Sequence, residues 1–174
     1  MIRGYLAGSR DRKRPYVSGH LTIPALRCEG DVEFLIDTGA EKVFIINEKG
    51  IIAVHDAARP LVSNEAISRT FHAAEKYGAS VPFVPLTDSI RFYNGHESRS
   101  LDRNKHVLVQ TPQCFRSDVL ISAYQTDHQS FFTDDASVVE SAGFTVHLVV
   151  GNLENIKITT PSYFLIAETL IKSA

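Results

Sequence analysis

From residue 50 onward, short apolar runs alternate with amphipathic stretches. Residues 50–54 form a compact run of apolar and β-branched side chains, which polar residues and a proline then stop. Such a run is typical of a buried strand in a mostly parallel sheet. Further apolar runs predict strands over residues 80–86, 107–109, 145–149 and 156–158.

Four helices are predicted between these strands, from apolar positions that recur every three or four residues or from capping signals. Thr133 is the predicted N-cap of the third helix, and Thr160 caps the fourth with Pro161 in its first position. The four stretches are residues 63–77, 117–126, 133–143 and 160 onward. Strands that alternate with helices predict an α/β sheet with helices on its faces.

Residues 89–104 form a separate pattern, in which polar and apolar positions alternate around Asn94-Gly95. This dipeptide is the strongest short hairpin signal in the chain. A lone two-stranded arm is marginally stable in water. The apolar positions Ile90, Phe92 and Leu101 therefore need a partner surface, which predicts a homodimer.

The first 49 residues carry a different pattern from the rest. Two apolar-rich runs, residues 16–23 and 32–37, are separated by Cys28-Glu29-Gly30-Asp31, which predicts a β-hairpin with a loop of several residues. We therefore expect two parts, an atypical amino-terminal hairpin segment over residues 1–49 and an α/β domain over residues 50–174.

The composition excludes several classes of partner. The net charge of −2 gives no general attraction to nucleic acid or to a membrane, so we expect neither. No apolar run approaches the roughly 20 residues of a membrane span. The two cysteines, Cys28 and Cys114, lie far apart and fit no metal-binding spacing. This favours free thiols and a cytoplasmic protein.

The candidate chemistry begins at His55-Asp56-Ala57-Ala58-Arg59-Pro60, directly after the first strand of the α/β part. Sheets of this kind place their sites just past the carboxyl ends of the strands. Asp56 can bind a divalent metal and Arg59 can bind a phosphate. These two residues alone would also fit an ion pair that caps a loop.

Five short stretches, all in order along the chain, resemble the 2-C-methyl-D-erythritol 4-phosphate cytidylyltransferase family. The resemblance covers roughly residues 50–174. It implies a three-layer, Rossmann-like nucleotidyltransferase sheet, truncated or replaced at the amino end, with a protruding β-arm. The stretches are residues 55–60, Asp102-Arg103, Thr111-Pro112-Gln113, residues 133–137 and residues 155–159.

The family's reaction, as the resemblance implies it, transfers CMP from CTP to 2-C-methyl-D-erythritol 4-phosphate with release of pyrophosphate, in non-mevalonate isoprenoid biosynthesis. Asp56, Arg59 and Lys157 would be the catalytic residues. Asp56, with Ala57 beside it, would place the nucleotide and act as a hard oxygen ligand to Mg²⁺.

Three further residues are implied to bind substrate. Thr111 and Thr133 would join the two cations around the phosphate and hydroxyls of methylerythritol phosphate. The hairpin 89–104 would be the family's β-arm, which crosses to a second subunit of a homodimer. Arg103 on this arm would complete the neighbour's substrate site.

Each of these side chains also has a structural interpretation. Thr133 could serve only as a helix cap, and Thr111 could begin a turn before Pro112. Lys157 could point to solvent from an edge strand, and Arg103 could form a surface pair with Asp102, worth under about 1 kcal/mol. His55 is expected to be packed or hydrogen-bonded rather than a base, and Cys114 to be core rather than nucleophile.

The nucleotide half of the family pattern is matched less well. Ala7-Gly8-Ser9-Arg10 and Lys13 only faintly imitate the glycine-rich loop and the two cations that hold the CTP triphosphate. Activity is therefore expected to be impaired, and one alternative is a dimeric sugar-phosphate-binding protein with little turnover. Residues 14–40 resemble the catalytic turn of retroviral-type aspartic proteases, so a protease that uses Asp37 is the remaining alternative.

Overall fold

The computed structural model describes residues 6–7, 16–23, 28–36, 42–46, 50–125, 129–130 and 132–173, the first four ranges as backbone only. Within these residues the strands are β1 (Leu6–Ala7), β2 (Tyr16–Ile23), β3 (Cys28–Ile36), β4 (Lys42–Ile46), β5 (Ile51–Asp56), β6 (Ala79–Pro85), β7 (Arg91–Tyr93), β8 (Ser98–Ser100), β9 (Val107–Val109), β10 (Gln113–Arg116) and β11 (His147–Val150). The α-helices are α1 (Asn64–Tyr77), α2 (Ser117–Ala123), α3 (Asp135–Ser141) and α4 (Pro161–Ser173). None of these described helices is long and apolar enough to cross a bilayer.

One large sheet has the strand order β1-β2-β3-β4-β5-β10-β6-β11, and β9 also pairs with β6. Only β6 and β11 pair in parallel among the described strands, so the expectation of a mostly parallel sheet was wrong. However, β10 is antiparallel to both β5 and β6. Strands β5, β6 and β11 therefore run in one direction, and their carboxyl ends meet at one edge of the sheet.

The alternating side chains of β5 divide the core into two layers. Ile51 and Ala53 pack with Phe71 of α1 on one face of the sheet. Ile52 and Val54 pack on the other face with residues of α2 and α3. Because successive strand residues point to opposite faces, one fully apolar run fills both layers. This confirms the predicted three-layer α/β architecture.

Helix α1 has the bounds that its capping signals predict. The Ser63 hydroxyl accepts a hydrogen bond from the Ala66 N–H at 3.1 Å, which satisfies one free donor of the first turn. Gly78 ends the helix with φ of 95°, in the left-handed region that favours glycine, and its N–H donates to the Ala74 carbonyl. The predicted helix from Ser63 to Gly78 is confirmed.

The predicted arm is also present. Strands β7 and β8 pair antiparallel, with Phe92 opposite Arg99. The side chain of Asn94 accepts hydrogen bonds from the backbone N–H groups of His96 and Glu97, and Gly95 has φ of 96°. Both strands are exposed along their whole length.

Three strand predictions need correction. Strand β10 was not predicted, although it lies between β5 and β6 in the sheet. Residues 107–109 form a strand but are not buried, since Leu108 is 52% exposed. Residues 156–158 form no strand, because the Ile158 N–H donates to the Ala58 carbonyl in a loop rather than to a neighbouring strand.

The backbone of the amino-terminal part continues the sheet. Strands β2 and β3 pair antiparallel as a hairpin, and β4 pairs antiparallel with β5. Residues 28–31 lie in β3 and not in the predicted loop. Asp37 and the Gly8–Lys13 region lie outside the described residues, and the division at residue 49 stays a prediction.

Phe115 of β10 provides a test of the packing. Its side chain is fully buried among β5, α2 and α3. Phe115→Ala should lower the free energy of unfolding by about 3–5 kcal/mol, because it removes a large apolar side chain and leaves a cavity. Phe164→Ala is the matched control, since Phe164 is 58% exposed and its loss should change stability little. Urea denaturation followed by circular dichroism measures both, and equal losses would contradict this packing.

Candidate functional site

The site is built on a tight turn at the carboxyl end of β5. The Arg59 N–H donates to the Asp56 carbonyl at 3.0 Å, which turns the chain back over the strand. The Arg59 Nε atom consequently lies 3.0 Å from Asp56 Oδ2. The Nζ atom of Lys157 lies 3.3 Å from the same oxygen. Two cations therefore share one buried carboxylate.

Lys157 reaches this carboxylate because the loop that carries it is tied to the turn. The Arg59 guanidinium donates from Nη1 to the Asn155 carbonyl at 2.8 Å. The Ile158 N–H donates to the Ala58 carbonyl, also at 2.8 Å. These two contacts flank Lys157, so that its side chain lies over Asp56. The structure thus brings together the three predicted catalytic residues.

Thr111 approaches the same turn from the loop between β9 and β10. Its hydroxyl accepts a hydrogen bond from the Asp56 N–H at 3.0 Å and lies 2.8 Å from Nδ1 of His55. The Nε2 atom of His55 lies 3.0 Å from the Arg59 carbonyl, which can only accept. Nε2 therefore carries the proton in the neutral ring, and Nδ1 accepts from the Thr111 hydroxyl.

The environment of His55 keeps its imidazole neutral. Burial lowers the pKa of His55 below 6.5, and this outweighs its hydrogen bond to the Arg59 carbonyl and the nearby charge of Asp56. The expectation that His55 is hydrogen-bonded is confirmed. Cys114 lies in the core against α1, where burial raises its thiol pKa well above the usual range, as suits a core residue.

The roles of three amides behind the site were not predicted, although Asn155 lies in the matched stretch 155–159. Gln110 donates from Nε2 to the carbonyls of Asn152 and Asn155, at 2.9 and 3.3 Å. Asn152 accepts from the Ser63 N–H and donates to the Leu61 carbonyl, so it also fixes the start of α1. Their sequence signal is weak, because buried amides are recognised only by partners that lie far away along the chain.

Asn155 is the most deeply placed of these amides, with no exposed surface. Its Nδ2 atom donates to the Thr111 carbonyl at 2.8 Å. Its Oδ1 atom has no hydrogen-bond partner among the described residues.

Gly151 allows the close approach of the Gln110 amide. A Cβ atom at position 151 would lie 2.2 Å from Gln110 Oε1 and 3.2 Å from the Phe83 carbonyl oxygen. The Gly151 N–H donates to that same carbonyl at 2.8 Å. A side chain at position 151 would therefore displace the terminal amide of Gln110 from the loop.

Thr133 is not the N-cap of α3, as was predicted. Asp134 caps this helix, with its side chain accepting from the Ser137 N–H at 2.9 Å in a capping box. Thr133 lies just before the cap and is exposed. Gln113 of β10 donates to Asp134 Oδ2 at 2.7 Å, which fixes this helix start at the same sheet edge as Asp56. Among the hydrogen bonds of the described residues, none joins Thr133 to Asp56.

Arg103 lies in a 3₁₀ turn, Arg103–Lys105, at the base of the arm. Its guanidinium donates to the Thr87 carbonyl of the same chain. Asp102 caps this turn through the Asn104 N–H, and no ion pair joins it to Arg103 among the described side chains. Within this chain, the structure does not bring Arg103 to the cluster around Asp56.

The donor set limits how a metal could bind. Among the described residues, no three or more His, Cys, Asp or Glu side chains cluster as a metal site would. Asp56 is a single carboxylate whose Oδ2 already faces two cations, and the adjacent Ala57 is exposed. This arrangement does not fit a metal held by protein ligands alone. It fits a divalent cation that takes one carboxylate oxygen from the protein and its other ligands from elsewhere.

The chain matches the family model of 2-C-methyl-D-erythritol 4-phosphate cytidylyltransferase over residues 39–173. Relatives of that name from Bacteroides fragilis and Porphyromonas gingivalis are 42% and 45% identical over 81% and 74% of this chain. The crystal structure of the Thermus thermophilus enzyme of that name matches 71% of the chain with a TM-score of 0.63 and 35% identity.

The chain spans 68%, 59% and 62% of the lengths of these three proteins. The family match starts before residue 50, so it also covers the end of the amino-terminal part. None of these comparisons supports the resemblance of residues 14–40 to an aspartic protease.

His55 gives a pH-dependent prediction. Unfolded chains take up this proton near pH 6.5, whereas the folded protein does so only at lower pH, so stability should fall as the pH drops below 6.5. The His55→Gln variant should lose this part of the pH dependence. Urea unfolding at pH 7 and pH 5.5 measures the effect, and NMR titration of the ring locates the pKa. A His55 titration midpoint at or above 6.5 would contradict the burial argument.

Proposed function

We propose that this chain, which belongs to the 2-C-methyl-D-erythritol 4-phosphate cytidylyltransferase family, has the activity that gives the family its name. It would transfer CMP from CTP to 2-C-methyl-D-erythritol 4-phosphate and release pyrophosphate. This reaction would be a step of non-mevalonate isoprenoid biosynthesis. The observation that carries the proposal is the pair of cations, Arg59 and Lys157, held on the buried carboxylate of Asp56.

The two cations would bind the phosphate of the methylerythritol substrate. Asp56 and the Asn155 carbonyl fix the guanidinium of Arg59, so little side-chain freedom remains to be lost on binding. Lys157 is more accessible, with about a third of its side chain exposed, and can turn toward an incoming anion. Charge-assisted hydrogen bonds of this kind contribute about 1.5–3 kcal/mol each.

The chemistry requires no side-chain nucleophile. A phosphate oxygen of the substrate attacks the α-phosphorus of CTP, the new P–O bond forms, and the bond to the bridging oxygen breaks as pyrophosphate leaves. Positioning of the two substrates and neutralisation of their charge are what the protein must supply. Arg59 and Lys157 would hold the attacking phosphate in line and reduce its repulsion from the triphosphate.

We propose Mg²⁺ as the cofactor. When bound, Mg²⁺ neutralises part of the triphosphate charge. Asp56 would contribute one oxygen ligand beside the exposed residue Ala57, and the phosphates would supply the remaining charged ligands.

The remaining substrate contacts are proposed to come from Thr111, Thr133 and the arm. Gln113 places the start of α3, and so Thr133, at the same edge as Asp56. The arm is exposed on both strands, which supports a homodimer in which Arg103 enters the partner's site. We also propose a cytoplasmic protein, which the free, buried Cys114 supports.

A sugar-phosphate-binding protein with little turnover is the second candidate. It is favoured by one feature of the sequence, namely that Ala7-Gly8-Ser9-Arg10 and Lys13 only faintly imitate the glycine-rich loop and the two cations that hold the CTP triphosphate. The two candidates share the phosphate site and differ in whether CMP is transferred.

Calorimetry with each ligand separately, in Mg²⁺, tests the phosphate site. Lys157→Ala should weaken binding of methylerythritol phosphate roughly ten- to a hundredfold, because it removes one charge-assisted contact. Residual CTP binding should be nearly unchanged. Lys172→Ala is the matched control, because it removes the same charge from an exposed lysine in the last turn of α4. This lysine forms no ion pair with Asp56 among the described residues.

The two candidates separate in a turnover assay that follows pyrophosphate release. Transfer of CMP establishes the enzyme, whereas tight sugar-phosphate binding without release establishes the binding protein. We expect weaker CTP binding than in family members that carry the full glycine-rich loop, because Arg10 and Lys13 only faintly match its two cations. Loss of both ligands in the Lys157→Ala variant would contradict a separate sugar-phosphate site.

Mixed dimers test the role of the arm. If Arg103 acts in the partner's site, Arg103→Ala subunits mixed with Lys157→Ala subunits should recover one working site per dimer. Each variant alone should have none. Sedimentation that shows a clean monomer at micromolar concentration, or mixtures no more active than the separate variants, would contradict the arrangement.

A further inference from the structure

We infer that Asn155 is a positioning residue for the phosphate site, acting through Arg59 and Thr111 without touching the substrate. The inference rests on the proposed function for the identity of the ligand, but its geometry is independent of it. Asn155 contacts one site residue through its backbone and another through its side chain, and Lys157 follows two positions later.

The backbone contact fixes Arg59. Nη1 of Arg59 donates to the Asn155 carbonyl at 2.8 Å while Nε of the same guanidinium faces Asp56 Oδ2 at 3.0 Å. A planar guanidinium with one acceptor on each of two nitrogens has a defined orientation. The direction in which its other N–H groups point toward an anion therefore depends on where the Asn155 carbonyl lies.

The Asn155 side chain sets the position of that carbonyl together with Gln110, whose Nε2 donates to the same oxygen at 3.3 Å. Nδ2 of Asn155 donates to the Thr111 carbonyl at 2.8 Å, which ties the loop to the segment before β10. Thr111 in turn receives the Asp56 N–H on its hydroxyl. One buried amide thus couples the loop of Lys157 to the turn that holds Asp56.

The Oδ1 atom of the Asn155 amide allows a positioning role to be distinguished from a contribution to stability. Asn155 is fully buried, yet its Oδ1 atom has no partner among the described residues. A buried polar atom without a partner is destabilising. Replacing Asn155 by leucine removes this unpaired acceptor but leaves the Thr111 carbonyl without its donor, so the free energy of unfolding should change little. The hydrogen bond between the loop and Thr111 is nevertheless lost.

Asn152 provides a matched control three residues earlier in the same loop. Its Oδ1 accepts from the Ser63 N–H and its Nδ2 donates to the Leu61 carbonyl, so both halves of this amide are used. No hydrogen bond joins its side chain to Arg59 or Thr111 among the described contacts. Asn152→Leu should therefore lower stability more than Asn155→Leu and affect phosphate binding less.

Three measurements test the inference on the full chain. For Asn155→Leu we expect an unchanged urea midpoint, at least tenfold weaker binding of methylerythritol phosphate and of inorganic phosphate, and unchanged CTP binding. NMR relaxation of the Arg59 Nε–H group should show increased mobility in this variant and not in Asn152→Leu. Asn155→Asp keeps the acceptor, loses the donor, and should weaken phosphate binding as strongly.

The outcomes separate this inference from the proposed function. If the parent protein binds inorganic phosphate but neither binds nor converts methylerythritol phosphate, the proposed function fails while the phosphate and relaxation results still decide the role of Asn155. Asn155→Leu with unchanged phosphate affinity and unchanged Arg59 mobility would overturn the inference. Equal losses of affinity in the leucine variants of Asn152 and Asn155 would overturn it as well.

Discussion

The buried carboxylate of Asp56 is the constraint around which the functional edge of this fold is arranged. Removing a charge from water is costly unless it is paired and hydrogen-bonded. Asp56 gains one partner, Arg59, from its own turn and a second, Lys157, from the far end of the α/β part. Each cation is held by the carboxylate and remains near enough to the surface to meet an anion. The same ion pairs thus stabilise the turn and prepare the site.

The loop of residues 151–158 shows how a segment without regular structure is held in place. The Gly151 N–H donates to Phe83 of β6, and later backbone groups of the loop pair with the side chains of Gln110 and Arg59 and with the Ala58 carbonyl. Because buried backbone groups need hydrogen-bond partners, these contacts give the loop a conformation as well defined as that of a strand. A loop with a defined conformation can hold Lys157 in place beside Asp56 without forming a strand.

Local signals predicted the elements that depend on neighbours in sequence. Strand β5, helix α1 with its caps at Ser63 and Gly78, and the hairpin at Asn94-Gly95 are determined within a few residues. Strand β10 has four residues and only two apolar side chains, so its identity depends on pairing with β5 and β6. Residues 156–158 show the opposite case, in which an alternating pattern meets no partner strand. The structural roles of the amides at 110, 152 and 155 were missed because their partners lie about 40 or more residues away.

Gly151 also depends on a partner that is distant along the chain, although glycine has no functional group of its own. Its missing side chain leaves the space in which the Gln110 amide reaches the loop. In directed evolution or deep mutational scanning, substitutions at position 151 should therefore act through the Gln110 amide and the loop that carries Lys157. Libraries that aim to alter substrate preference should leave position 151 fixed and vary the exposed residues around it. Without the structure, a low tolerance to substitution at position 151 would be attributed to substrate contact or backbone conformation instead of to the space that Gln110 occupies.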